Sequence, residues 1–408
     1  MRIPILLLLF ATSALASDWP GWRGPQGDNH APQGASPVTE WSERKNVRWK
    51  AALPGKGHAT PIFVGNRIYL PTGDEEAETQ SLLAYDRESG ELVWNTLIHQ
   101  GGLAEGIHRE NSFASSTARW DGKNILVVFE NQKQIHVTAV DPDGEIVWSK
   151  SLGRYATKPR FGFGSTPALY GDLLIVAVES ENNGFLIGID SQNGAERWKT
   201  ARPGRSNWAT PVVAKVAGRD QLLISGTGKV SSYDPSNGRT LWEVPSKLEV
   251  ACGTAVWWED MVFASGGFPA KETLGVKATG RGQVVWSTPV KCYEQSMLSV
   301  GGFIYGIDEQ STAFCWRASD GELMWKERLG RGGIKASPLL VGDLIYASLL
   351  GGTTVVFRAS SDGFEKVAEN QLGDQAYASP VALEDELFLR VAFKNRGHRE
   401  EFLYCLGE

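Results

Sequence analysis

The stretch YDRESGELVW (85–94) is a turn written into seven places of this chain. It returns as VDPDGEIVW (140–148), IDSQNGAERW (189–198) and YDPSNGRTLW (233–242), and in weaker form as ATGRGQVVW (278–286), RASDGELMW (317–325) and RASSDGFEKV (358–367). A glycine stands four residues before each closing position, from Gly90/Trp94 to Gly363/Val367. The pattern is that of a β-hairpin. The aspartate side chain accepts hydrogen bonds from the turn backbone, the glycine takes a positive φ, and the following strand sends alternate residues to one face.

Upstream of each turn lies a second phrase, strand–polar turn–strand. Its copies include ATPIFVGNRIYL (59–70), STPALYGDLLIVAV (165–178), GTAVWWEDMVFAS (253–265), ASPLLVGDLIYAS (336–348) and ASPVALEDELFLR (378–390). Eight copies of this phrase stand against seven turns, so each unit has four strands and the eighth lacks its last. NVRWKAAL (46–53) supplies that strand from the N-terminal side, with Trp49 in the closing place. Trp49, Trp94, Trp148, Trp198, Trp242, Trp286 and Trp325 are spaced 45, 54, 50, 44, 44 and 39 residues apart. Four-stranded units at this period predict an all-β, eight-bladed β-propeller of antiparallel blades over 46–408, sealed by pairing the N-terminal strand with the C-terminal blade. The seven tryptophans are then interblade packing.

The first sixteen residues, MRIPILLLLFATSALA, carry Arg2, an apolar run and the Ala14-Leu15-Ala16 pattern of a signal peptide cleaved near Ala16. Residues 17–45 form a lead-in rich in Trp, Gly and Pro, and the remaining chain has no apolar stretch long enough to span a bilayer. These features place the protein in the periplasm or outside the cell. The formal net charge of −6 argues against nucleic acid as a partner. Neither a CxxC zinc ribbon nor a redox pair is present among Cys252, Cys292, Cys315 and Cys405. Cys315 and Cys405 align with Ala84 as small core residues, whereas Cys252 and Cys292 fall at the same mouth on consecutive blades, where an oxidising compartment could link them in a disulfide.

The turn resembles the pyrroloquinoline quinone (PQQ) repeat shared by PQQ-dependent alcohol dehydrogenases and the BamB outer-membrane assembly lipoproteins. A closer resemblance is to exported bacterial proteins with PQQ-binding-like propeller repeats. It rests on WPxWRGPxG (Trp19–Gly27), PGxGH (Pro54–His58) and ExxHxxNSxASS (Glu105–Ser116). The enzyme branch implies a quinone on the propeller axis, held with Ca²⁺, a vicinal disulfide and a tryptophan floor. Adjacent cysteines and the long pocket-building insertions are missing here, so PQQ with Ca²⁺ is not expected. A cysteine for lipid attachment is missing too, which departs from the BamB pattern.

The repeat also locates a site. The residue two before the Ser/Thr of each upstream phrase begins an innermost strand, so its copies ring one mouth of the channel. They read His58, Ala114, Gly164, Trp208, Cys252, Glu294, Lys335 and Tyr377. A structural position repeats one small residue; this one is diversified, as a ligand-adapted rim is. Drifting solvent-exposed loops would give the same diversity. The insertion 99–116 adds Glu105, His108, Glu110 and Asn111 over this mouth, with Glu105 and His108 on one helical face, as metal or acid–base groups or as a self-tied polar loop. The loop 154–164 adds Arg154, Lys158 and Arg160 as anion or glycan contacts.

The expected function is that of a monomeric, non-catalytic binding or scaffold propeller for an envelope or extracellular protein or a glycan. The alternative is a PQQ- or metal-dependent envelope enzyme with its site at the mouth.

Overall fold

The computed structural model describes residues 17–157, 161–395 and 398–408. The expected signal peptide, 1–16, and the loop cations Lys158 and Arg160 lie outside the described residues. Eight four-stranded antiparallel sheets form the blades. In the first, Ile62–Val64 lies innermost, followed by Arg67–Asp74, Thr79–Asp86 and the outermost Leu92–Gln100. The strand Val47–Leu53 pairs with His398–Leu406, setting Trp49 opposite Cys405, so the last blade takes its outer strand from the N-terminal side and the ring is closed. Closure leaves no blade with a raw edge beside a gap.

The core lies between blades. Leu126, Val128, Ile135 and Val137 of the second blade interlock with Val176, Phe185 and Ile187 of the third, all buried. Each closing tryptophan spans such a junction. Trp49 lies against the turn glycine Gly90 of the next blade, Trp94 against Gly144 and Trp148 against Gly194. Its indole N–H donates to a carbonyl of that same turn in several blades: Trp49 to Arg87 at 2.9 Å, Trp94 to Pro142 at 3.0 Å and Trp325 to Ser360 at 2.7 Å. At Gly90, Gly144 and Gly194 the turn glycine is therefore required twice, for its positive φ and because a Cβ would enter the indole, whereas a Cβ at Gly363 would meet nothing.

Across the hairpin the tryptophan faces a small residue. Trp94 pairs with Ala84, Trp148 with Ala139, Trp198 with Gly188, Trp286 with Gly275 and Trp325 with Cys315. The alignment of Cys315 and Cys405 with Ala84 thus holds in the register. The seventh blade differs. Its closing position is Ala368, not Val367, because the turn after Gly363 is one residue longer, while the bulge before the closing position is the one the other blades share; the facing residue there is the larger Val356, and Val367 is exposed.

At the start of the innermost strands the blades are tied into a relay. The backbone N–H of Thr60 donates to Thr117 Oγ1 at 3.1 Å, Thr117 to Thr166 at 3.0 Å and Thr166 to Thr210 at 3.0 Å. Beyond it Thr254 donates to Ser296 and Ser296 to Ser337, both at 2.9 Å. Ser337 donates to Ser379 at 2.9 Å, and Ser379 to Thr60 Oγ1 at 3.2 Å, which brings the relay back to the first blade. At the Thr210–Thr254 step the Thr254 hydroxyl receives Trp22 Nε1 instead, at 2.9 Å.

Trp22 belongs to the lead-in, which crosses the far end of the inner strands. Trp19 is wholly buried and exchanges backbone hydrogen bonds with Phe63 at 2.9 Å. The buried Arg23 reaches the Met297 carbonyl at 2.8 Å, and burial lowers its pKa to about 10. Asn29 and Ala31 then pair with Leu340, and Trp41 stacks on Tyr346 with centroids 6.3 Å apart. Trp19 thus pins the incoming chain. Trp22 instead enters the channel.

Two substitutions test these locks. Gly188→Ala forces a methyl into Trp198, and Thr166→Val leaves the buried Thr117 N–H without an acceptor. Each is expected to lower unfolding stability by about 1–3 kcal/mol, read from denaturant midpoints.

Candidate functional site

The cavity above the relay, about 230 Å³ in volume, gathers the diversified positions. His58, Gly164, Trp208, Cys252, Glu294, Lys335 and Tyr377 all line it. In the second blade the lining residue is Ser115, one place after Ala114. The relay uses Thr117 rather than Ser116, and Ala114 is buried. Trp22 also lines the cavity, as do Glu110, Asn111, Phe161 and Tyr293. Trp22 was not legible as a site residue from its place in the lead-in. Tyr293 has a sequence signal in hindsight, since it adjoins the ring position Glu294.

The His58 and Tyr377 rings stack at 4.0 Å and 9°. His58 holds its backbone N–H on the Ala114 carbonyl at 3.0 Å, and its Nε2 is buried with no hydrogen-bond partner. Burial, reinforced by the cations Lys56 and Arg399, drives its pKa well below the ordinary 6.5, so the imidazole is neutral at neutral pH. On the adjoining side of the ring Lys335 forms an ion pair with Glu294 and lies 3.9 Å from Glu110. Burial pulls the ammonium down, but Glu294 outweighs it and holds its pKa above the ordinary value. Burial and then Glu110 push the Tyr377 hydroxyl up, and burial and then Glu294 push up the Cys252 thiol. Both are protonated at neutral pH.

The insertion divides its residues between cavities. Asn111 lines the central one and is fixed there: its amide donates to the Phe161 carbonyl and its oxygen accepts from Ser115 Oγ at 2.6 Å. Phe161 meets Trp208 edge-on at 5.7 Å, and Trp208 Nε1 donates to the Gly162 carbonyl at 2.7 Å. Glu105 and His108 do not join them. His108 lines a neighbouring cleft of about 810 Å³, and Glu105 lines another hollow beside Arg154 and Tyr155. They share no helical face either, because the segment is a run of turns in which His108 Nδ1 accepts the Glu110 N–H at 3.3 Å. Among the described residues, no three His, Cys, Asp or Glu side chains gather closely enough to hold a metal.

Cys252 and Cys292, the candidate disulfide pair, stand as free thiols. The ring counterpart of Cys252 in the next blade is Glu294. Cys292 comes two residues earlier and turns inward, where a Cβ on Gly306 would lie 2.7 Å from its sulfur. Cys292 is wholly buried, whereas Cys252 faces the cavity.

Channel, relay and cavity define an eight-bladed propeller of PQQ-like repeats, closed on its axis. A family model described as outer membrane protein assembly factor BamB matches residues 31–159 and 78–327, and the chain belongs to that family. No curated protein matches it. The crystal structure of BamB from Moraxella catarrhalis is similar, with a TM-score of 0.63 at 14% identity, covering 88% of this chain and 99% of that one. So is the quinohemoprotein alcohol dehydrogenase from Comamonas testosteroni, with a TM-score of 0.63 at 12% identity, covering 97% of this chain and 81% of the other. The computationally designed Ika8 protein superposes with a TM-score of 0.61 at 9% identity, covering 88% and 99%. An assembly factor, an oxidoreductase and a designed protein share the scaffold, so the likeness carries the fold alone.

A neutral buried histidine takes a proton only when the chain unfolds, so His58 costs stability as pH falls through 6.5. Between pH 7 and 5 the wild type is expected to lose stability relative to His58→Phe, by up to about 1.4 kcal/mol per pH unit. Denaturant titrations of both proteins across that range measure the difference.

Proposed function

We propose that this protein is an exported, non-catalytic binding propeller that receives a group of an envelope protein or a glycan in its mouth cavity. One observation carries the proposal. Two residues ahead of a uniform Ser/Thr relay, the repeat changes to a different chemistry in nearly every blade, and these changed positions meet in one concavity. Uniformity at the relay serves the ring; divergence beside it serves whatever enters. No helix of the described residues is long and apolar enough to cross a membrane.

A PQQ- or metal-dependent enzyme at the same mouth is the rival, and the lining suits it poorly. Glu110 and Glu294 outnumber Lys335, an unfavourable wall for a quinone bearing three carboxylates. No step through that cofactor follows from the residues present.

Arrays of glycans and of envelope-protein peptides, probed with the whole chain, test the binding reading. Signal that disappears in His58→Ala and Trp208→Ala supports it, whereas signal indifferent to both removes the cavity from the function. Titration with PQQ plus Ca²⁺ is expected to leave tryptophan fluorescence flat. Export follows from the leader: intact mass of the protein recovered from the cell envelope or medium is expected to begin at Ser17. A mass that includes residues 1–16 overturns cleavage.

A further inference from the structure

We infer that the cavity is a blind cup for the terminal ring of an uncharged sugar chain, an inference that rests on the binding reading above. The first observation is charge. Lys335 is already paired with Glu294, and His58 is neutral. The second carboxylate, Glu110, shares the same ammonium at 3.9 Å and is half-exposed at the rim. A strongly anionic ligand meets that carboxylate, and a cationic one must compete with Lys335.

The second observation is the hydrogen-bonding inventory. The relay hydroxyls of Thr117, Thr166, Thr210 and Ser379 line the cavity, each having accepted one backbone N–H. Their hydroxyl protons remain to donate. Glu294 and Glu110 accept. Such a mixture suits a polyol, in which every hydroxyl both donates and accepts. An apolar ligand would strand these groups at a cost. Trp208, Tyr293 and Trp22 supply aromatic surface for the C–H face of a sugar ring.

The third is the floor. Trp22, held on Thr254, stands in the channel below the cavity, so a polymer cannot thread through and only its end can enter. At about 230 Å³ the cup is smaller than the ~300–1,000 Å³ pockets of drug-sized ligands, and one ring is the natural occupant. At Asn111 it adjoins the 810 Å³ cleft beneath the insertion, a way out for the rest of the chain.

The test is calorimetry of the whole chain with neutral trisaccharides of glucose, galactose and mannose in both anomeric linkages, alongside trigalacturonate and a glucosamine trimer. The expected result is saturable binding of at least one neutral trisaccharide, competed by the free sugar of its terminal ring. Trp208→Ala is expected to weaken it about tenfold, Trp208→Phe less, and Glu384→Ala on the opposite face not at all. Near-ultraviolet circular dichroism checks that each variant keeps its packing. Cavity-dependent binding of only the charged trimers, or of peptides on the arrays, overturns the sugar assignment and leaves the binding reading standing. Binding that capping of the terminal ring does not weaken overturns end recognition. No cavity-dependent binding to any of these probes overturns both.

Discussion

A backbone N–H of one blade held by the hydroxyl of the next is the contact on which the rest of this molecule depends. It occurs where the innermost strands begin, a place crowded by eight converging chains with little room for large side chains. A backbone amide buried there without an acceptor is costly, and water has no ready access. A short hydroxyl side chain solves the problem locally while fixing the distance between neighbouring strands. Because every relay hydroxyl but that of Thr254 accepts from the blade before it, the relay also sets a direction of rotation and holds the positions two residues upstream at matched heights around the mouth.

The outer rim uses a second, larger lock. There a tryptophan faces a small residue within its own hairpin and a turn glycine in the next blade, so three positions in two blades must agree. The chain contains its own control experiment. Where the seventh blade has no closing tryptophan, the residue across the hairpin is Val356 rather than alanine, glycine, serine or cysteine. Volume removed on one strand is restored on the other, as close-packed interiors require. Between the two locks, the apolar faces of adjacent blades bury one another, and the lead-in braces the assembly from the far side.

Most of this was legible in the sequence because repetition prints the same physics many times. The DxxxG turn, the period of the tryptophans and the count of eight upstream phrases were enough for blade number and closure. The mouth positions followed from the same alignment, with one slip at Ala114, where Ser116 and Thr117 compete for the same register and only the fold decides between them. What repetition does not encode was harder to see. Trp22 lies far in sequence from everything it touches, and its partner Thr254 is 232 residues away. Glu105 and His108 sit in an insertion without counterparts, so helical spacing was a poor guide to a segment made of turns. Cys252 and Cys292 are close in register but face opposite surroundings, a difference set by two residues of offset.

The shared last blade has a consequence for how such a chain comes into being. Val47–Leu53 is made before every other strand of the propeller, yet its partner His398–Leu406 is the last of them. Until the final residues arrive, the earliest strand has no mate, and contacts of such long range form late and slowly. A chain cut short by even one strand cannot seal; it keeps two open edges that invite pairing with other molecules and offers a protease an easy start. Closure of the ring therefore waits on the synthesis of its last strand.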